Sequence, residues 1–420
     1  MAGHPMVTTL PPVGAHFQRQ MRLFLEEICC EVCRFRHVEQ DKVPPDAVHT
    51  SREVDLGQPG AFADIHVEPV GLPPYFVEIK YGYAADRMLT HLARKYSADS
   101  PLLRKACKLV LMVDTARFDD WERLQGRIRE VVNPSLPVEI WDEARLLVLI
   151  RQCFGVDLAG ISVESLRDLR GAIDDAKWRY AYDGKFLDSP LKASLLWHFG
   201  FWRLRHLYKD KGLSPDDVLR PGRYKEVVVL LADLSAFSSY VRDTRNDEVV
   251  RSALTTFYSN SRYAIMAAGG MMCQFVGDEV VALFGVPDVD EQYAERALGC
   301  ARSLLEIGSS VSNKWQREID RVQASGGVHV GMSVGDVEAV PLRPFCRTHI
   351  GVIGDTINMA ARLMARASAS EIIASNTFFQ LLPEVDQGCF EEVDPIEGKN
   401  LGLIKAWKAK APSSWSPRGA

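Results

Sequence analysis

Residues 269–285 read GGMMCQFVGDEVVALFG. An apolar run on each side of Gly277-Asp278 is the pattern of two strands folded back on a tight turn, because Gly and Asp tolerate the backbone conformations that such turns require. The hairpin then carries Asp278 at its tip, with Gln274 three residues ahead of the glycine. Upstream, KEVVVLLADLSAF (225–237) is too continuously apolar to be other than a buried strand, and Asp233 stands at its carboxyl end. Two carboxylates on adjacent strand ends can hold a divalent cation such as Mg²⁺, which takes oxygen ligands and keeps positions for phosphate oxygens. Taken singly, each acid is also an ordinary turn or strand-end residue.

A second constellation follows in GVIGDTINMAARLMARA (351–367). Here a glycine precedes Asp355 and Thr356, both of helix N-cap type, and then a helix-forming run. Asn358 and Arg362 stand four apart and share one helix face. An amide beside a fixed cation suits a ribose oxygen and the charge that develops on a phosphoryl group, although a solvated polar stripe has the same spacing.

The bulk composition limits the alternatives. At 420 residues the chain exceeds a usual single core, so two domains with a connecting segment are expected. A hydrophobic share of 47%, a charged share of 25% and a net charge of −5 describe a soluble globular protein and disfavour a nucleic-acid partner. The start, MAGHPMVTTLPPVGAHF, has no charged and apolar leader pattern, and no apolar run approaches a bilayer span, so a cytoplasmic protein without membrane contact is expected. The nine cysteines are scattered; Cys29, Cys30 and Cys33 crowd one predicted helix, without a second pair to complete a zinc site, and read as reduced core residues.

The chain divides by pattern. Residues 1–158 alternate helix-like and strand-like segments, an α/β order. Residues 159–223 read as a helical connector built on SVESLRDLRGAIDDAKWRYAY and PLKASLLWHFGFWRLRHLYKDKG. Residues 224–411 alternate again, and 412–420 read as a disordered tail.

Four motifs of that last block, ADLSAFS, FVGDE, GDTINMAAR and EGKNLGLIKAWK, resemble in order those of the class III nucleotidyl cyclases, the adenylate and guanylate cyclase family. The resemblance covers under half the chain. It implies an α+β cyclase domain with a ferredoxin-like core and two Mg²⁺ or Mn²⁺ ions held by Asp233, Asp278 and the backbone carbonyl of Leu234. It also implies that Asn358 orients the ribose, that Arg362 stabilises the reacting phosphorus, and that Lys399 binds phosphate. The family's site forms between two chains, which implies a homodimer with shared active sites.

In adenylate cyclases of this family the base-selecting lysine stands three residues before the glycine of the Gly-Asp turn. A second selector, Asp or Thr, stands three before the glycine of the Asn-Arg motif. Those places here hold Gln274 and Gly351, and the Glu and Cys pair usual for guanine is absent too. A neutral amide can donate and accept towards a pyrimidine edge, and the smaller ring leaves space for an aromatic side chain, for which Phe237, Tyr258 and Tyr263 are candidates. This departure, with a separate amino-terminal domain, resembles the pyrimidine cyclases of the Pycsar anti-phage systems. There a cyclic UMP or cyclic CMP signal activates a separate effector. The substrate expected is UTP ahead of CTP. An adenylate or guanylate cyclase with unusual selectors, and a nuclease with a regulatory cyclase-like domain, stay open as alternatives. The intact Asp, Asp, Asn and Arg set argues against a binder without turnover.

The amino-terminal block has its own motif. ADIHVEPVGLPPYFVEIKYG (63–82) sets Glu78 and Lys80 on one face of a strand, with Asp64 brought beside them by a hairpin. This looks like the PD-(D/E)xK nuclease core, in which two acids bind Mg²⁺ and a lysine assists water. The resemblance implies a domain of that type, used for cleavage, sensing or dimerisation.

Overall fold

The computed structural model describes residues 13–43, 47–58, 60–98, 100–320, 326–343, 346–398 and 402–409. The expected tail at 412–420 lies outside them. The chain divides into two compact units that part at Ile173/Asp174.

The first unit opens on α1 (Val13–Gln40), followed by β1 (Val48–Asp55), β2 (Phe62–Pro69), β3 (Tyr75–Ile79), α2 (Ala85–Tyr96), α3 (Pro101–Lys105) and β4 (Leu109–Met112). It continues through α4 (Trp121–Val131), β5 (Val138–Trp141) and α5 (Glu143–Phe154). The five strands form one sheet in chain order, antiparallel from β1 to β3 and parallel from β3 to β5. The antiparallel start comes from β1, whose sequence VHTSREVD has little apolar character and gave no strand signal. It forms because β2 is buried along nearly its whole length and needs a neighbour on that edge. Met88, Leu89, Leu92 and Tyr96 of α2 fall on one face and pack into the core with Phe76, Leu109 and Leu111. Cys29, Cys30 and Cys33 are buried on α1, and burial raises all three thiols, Cys33 to about 12.

The division falls within α6 (Val163–Tyr182). The second unit adds α7 (Lys192–Lys211), α8 (Pro215–Val218), β6 (Gly222–Leu234), α9 (Phe237–Asp243), α10 (Asp247–Ala267), β7 (Met271–Val276), β8 (Glu279–Phe284) and α11 (Tyr293–Glu318). After these come β9 (Val328–Arg343), β10 (Cys346–Ile353), α12 (Asp355–Arg366), β11 (Ile372–Ser375), α13 (Asn376–Leu381), α14 (Glu384–Gln387), β12 (Phe390–Gly398) and β13 (Gly402–Ala409). Thus α7 and α8, within the expected connector, belong to this unit. Its sheet has eight strands in the order β12-β13-β11-β9-β6-β8-β7, with β10 paired to β9. Strand β6 lies inside the sheet between β9 and β8, and its residues Val227–Ala232 are all buried, as the run VVVLLA requires.

Helices cover both faces. On β9, Gly331 and Gly335 leave room for α12: a Cβ on Gly331 would lie 2.1 Å from the Ala360 carbonyl oxygen, and one on Gly335 2.6 Å from Thr356 Oγ1. Residues two apart on a strand share a face, so Gly331, Ser333 and Gly335 form one strip, and Ser333 Oγ donates to the Thr356 carbonyl at 2.7 Å. The opposite face meets α11, where a Cβ on Gly308 would strike Val328. Among the described residues no helix is long and apolar enough to cross a membrane.

Gly331→Ala drives a methyl into helix backbone rather than into a flexible side chain. It is expected to cost about 1–3 kcal/mol in denaturant unfolding. Gly299→Ala, exposed on α11 with nothing within 4 Å, is expected to stabilise by about 0.5–1 kcal/mol.

Candidate active site

The hairpin at 269–285 forms as β7 and β8, with Gly277 at φ +64° in the turn, a conformation that glycine adopts without strain. On β6, Asp233 pairs with Glu279 of β8 on one side and with His329 of β9 on the other. Directly opposed residues of an antiparallel ladder share a face, so Asp233, Glu279 and His329 stand on one side of the sheet. That side also carries Gly331, Ser333 and Gly335, and so is the side covered by α12.

The carboxyls of Asp233 and Asp278 are hydrogen-bonded to each other. Burial, then Asp233 itself, push Asp278 up to about 7; burial and Glu279 raise Asp233, against the hydrogen bonds from Asp278 and from the Leu234 backbone N–H. The pair therefore resists carrying two negative charges at once. Its geometry fits a divalent cation: two half-buried oxygen donors that repel as anions are satisfied by one hard cation as well as by the proton. Among the described residues no set of three His, Cys, Asp or Glu side chains is disposed to hold a metal, so remaining positions fall to backbone carbonyl, water or phosphate oxygens.

His329 gave no sign in the sequence, since its place depends on the register between β6 and β9. Its Nε2 lies 3.6 Å from Asp233 Oδ2 and its Nδ1 3.0 Å from Ser235 Oγ. Burial lowers its pKa, outweighing Asp278.

Asn358 and Arg362 lie on α12 as expected, on the flank left open when Thr356, Ala360, Leu363 and Met364 turn inward. The start of the helix differs from expectation. Gly354 is the N-cap residue, and the Thr356 hydroxyl does not cap but donates to the Asp336 carbonyl at 2.8 Å, fastening the helix to β9. Gly351 is on β10 opposite Val340. Neither Asn358 nor Arg362 makes a hydrogen bond or ion pair with Asp233 or Asp278. The structure thus groups the expected residues in two sets, Asp233, Asp278 and Gln274 at one end of the sheet and Gly351, Asn358 and Arg362 on β10 and α12. Lys399 lies outside the described residues.

Gln274 is exposed near the end of β7. The aromatic candidates are engaged elsewhere. Tyr258 stacks on Phe275, with centroids 4.2 Å apart, and its hydroxyl donates to the Gly277 carbonyl, so it braces the hairpin tip. Phe237 meets Trp315 edge-on at 5.9 Å, and Tyr263 packs on Trp202 at 5.8 Å.

In the first unit, Asp64, Glu78 and Lys80 do come together, all buried. The Ile79 N–H donates to Asp64 Oδ2 at 2.7 Å and the Asp64 N–H to Glu78 Oε2 at 3.3 Å. Lys95 of α2, which the sequence did not single out, bridges the two acids, at 3.2 Å from Asp64 Oδ1 and in direct contact with Glu78 Oε1. Lys80 also pairs with Glu78, Tyr96 donates to Glu78 Oε2 at 2.8 Å, and Arg22 reaches Asp64 at 3.3 Å. Burial alone would raise the Asp64 carboxyl, but Lys80, Lys95, Arg22 and the Ile79 N–H hold it well below the ordinary carboxylate range. The acids are neutralised from within, and a divalent cation would have to displace the Lys95 ammonium.

The carboxyl pair of the second unit gives a pH signature. A carboxyl whose folded pKa is raised holds its proton more firmly when folded, so its contribution to stability is full below about pH 4 and is lost as pH rises through about 7. In EDTA, Asp278→Asn is expected to melt above the wild type at about pH 8, and the advantage is expected to vanish near about pH 4. Mn²⁺ should stabilise the wild type more than the variant. A melting difference that does not change with pH would contradict the raised Asp278 carboxyl.

The family model for the adenylate and guanylate cyclase catalytic domain matches residues 219–408. Soluble guanylate cyclase gcy-31 of Caenorhabditis elegans is 27% identical over 188 residues, 44% of this chain and 26% of that one. Adenylate cyclase 1 of Rhizobium meliloti is 29% identical over 156 residues, 36% of this chain and 22% of that one. The chain thus spans about a quarter of the length of these curated relatives. The guanylate cyclase domain from Catenaria anguillulae, solved in complex with GTP, is 21% identical, with a TM-score of 0.40, over 45% of this chain and 98% of that one. Residues 219–408 are a catalytic domain of the adenylate and guanylate cyclase family.

Proposed function

We propose that this protein is a nucleotidyl cyclase that converts a pyrimidine nucleoside triphosphate, UTP ahead of CTP, into the 3′,5′-cyclic monophosphate and pyrophosphate. The observation that carries the cyclase reading is the Asp233–Asp278 carboxyl pair at the ends of β6 and β8. Two Mg²⁺ or Mn²⁺ ions, held by Asp233, Asp278 and the Leu234 carbonyl, would neutralise triphosphate charge and ease loss of the ribose 3′-hydroxyl proton. The 3′-oxygen then attacks the α-phosphorus, the bond to the β-phosphate oxygen breaks, and pyrophosphate leaves. Asn358 positions the ribose, Arg362 meets charge developing on the phosphoryl oxygens, and Lys399 binds phosphate.

The pyrimidine reading rests on Gln274 and Gly351. An amide at the first place and no side chain at the second cannot reproduce a Lys with Asp or Thr, the pair read as selecting adenine. Adenine groups left unpaired in a closed pocket cost on the order of 1–3 kcal/mol each. The resemblance to a family whose site forms between two chains supports a homodimer sharing its sites as the assembly proposed. The product would be a messenger for a separate effector in bacterial anti-phage defence, and the enzyme would be cytoplasmic. The first unit is read as a sensing or dimerisation domain. The bridging Lys95 weighs against a nuclease centre there.

With an equimolar mixture of the four ribonucleoside triphosphates and Mn²⁺, mass spectrometry is expected to find cyclic UMP and cyclic CMP well above the purine products. Asp233→Ala and Asp278→Ala should each reduce turnover by orders of magnitude. Chiefly cyclic AMP would overturn the base reading, and near-normal turnover in either variant would overturn the site. Mixing inactive Asp278→Ala chains with inactive Arg362→Ala chains is expected to recover part of the activity, since a mixed dimer contains one complete site. Absence of recovery after demonstrated subunit exchange would place each site within one chain.

A further inference from the structure

Base selection at Gln274, on which this inference rests, depends on which face of β7 that residue occupies. Strand β7 is irregular: Met272 pairs with Ala282 and Gln274 with Val281, leaving Cys273 as an extra residue, a β-bulge. Successive side chains alternate, so in a regular strand Gln274 would share the face of Met272, which is fully buried. The bulge reverses the phase. Gln274 is instead opposite Val281, two residues from Glu279, and Glu279 pairs with Asp233. The extra residue therefore puts the amide on the face of the carboxyl pair and leaves Phe275 on the face of Met272.

A bulge frees backbone groups from the ladder, and one of them has a specific partner here. His198 of α7 is buried, and its Nδ1 lies 2.6 Å from the Met272 carbonyl oxygen. A carbonyl only accepts, so Nδ1 carries the proton. The neighbouring Trp197 meets the ring of Phe275 edge-on at 6.0 Å, and Tyr258 stacks on its other side. Helix α7 thus grips β7 just before and just after the bulge. It breaks two residues later at Gly200 (φ 71°, ψ 157°), which frees the short amino-terminal segment to follow the strand. His198 lies outside the residues 219–408 that match the cyclase family.

We propose that His198 is a positioning residue that determines base specificity, by holding the Cys273 bulge that keeps Gln274 on the Asp233 face.

The test uses the full chain with His198→Ala and His198→Asn. An Asn amide nitrogen lies close to where Nδ1 stood and donates to the same carbonyl. His198→Phe, which keeps the ring volume without the donor, serves if the truncation unfolds. Two readouts are taken: amide exchange at 272–276, and the ratio of kcat/KM between the best and the next-best nucleotide. The expectation is faster exchange and a loss of selectivity of about tenfold in the variant lacking the donor, on the scale of one lost polar contact. Turnover of the best nucleotide should fall by less, and His198→Asn should restore both readouts. An unchanged selectivity ratio despite faster exchange, unchanged exchange, or an Asn variant no better than the Ala or Phe variant would each overturn the proposal. If the wild type cyclises no nucleotide, the proposed function fails, and with it the specificity role, while exchange alone still decides whether His198 holds the bulge.

Discussion

Two carboxyl groups at the ends of β6 and β8 resist carrying charge together, and much of the second unit maintains that confrontation. Asp233 is held firmly because β6 is an interior strand, paired on both sides over Val228–Asp233. Asp278 is held less directly, at a turn whose carbonyl is tied to Tyr258 and whose strand is gripped by α7. The repulsion is stored in the fold, where a proton relieves it. A preorganised pair of this kind gains more from a bound cation than two acids that must first be gathered.

Much of this was legible from residue order alone. The hairpin, the buried strand ending in Asp233 and the helix bearing Asn358 and Arg362 all follow from local pattern, and all are present. What escaped depends on partners distant in sequence. His329 meets Asp233 only through the β6–β9 register, the bulge at Cys273 is invisible without β8 beside it, and Lys95 resembles any other helical lysine until α2 packs on the sheet. Strand β1 was missed because its composition is polar and its cause lies in β2. Aromatic type alone does not fix a side chain's neighbours: Tyr258 packs on Phe275 and Phe237 on Trp315.

Among the described residues, a buried acid cluster in the first unit and a half-buried acid pair in the second have opposite electrostatic solutions. In the first unit Asp64 and Glu78 are closed by lysines and an arginine, and burial is offset by counter-charges already in the fold. In the second, no basic side chain among the described residues is paired with Asp278, and Asp233 has only the weakly basic His329 among them within ion-pair reach. The first arrangement is fitted to persist unchanged in water and salt. The second is fitted to receive charge from outside. Acid pairs alike in sequence therefore differ in chemistry through their cationic neighbours.

The interior position of β6 also has a consequence for the newly made chain. Val229 pairs with Leu283 on one side and with Ser333 on the other. The second partner leaves the ribosome about a hundred residues after β6, several seconds later at ordinary rates of synthesis. Until then the apolar run Val227–Ala232 has an open edge, able to pair with another nascent copy. Slowed translation between α11 and β9, or a shortage of chaperones, would therefore reduce yield through aggregation rather than through instability of the finished protein.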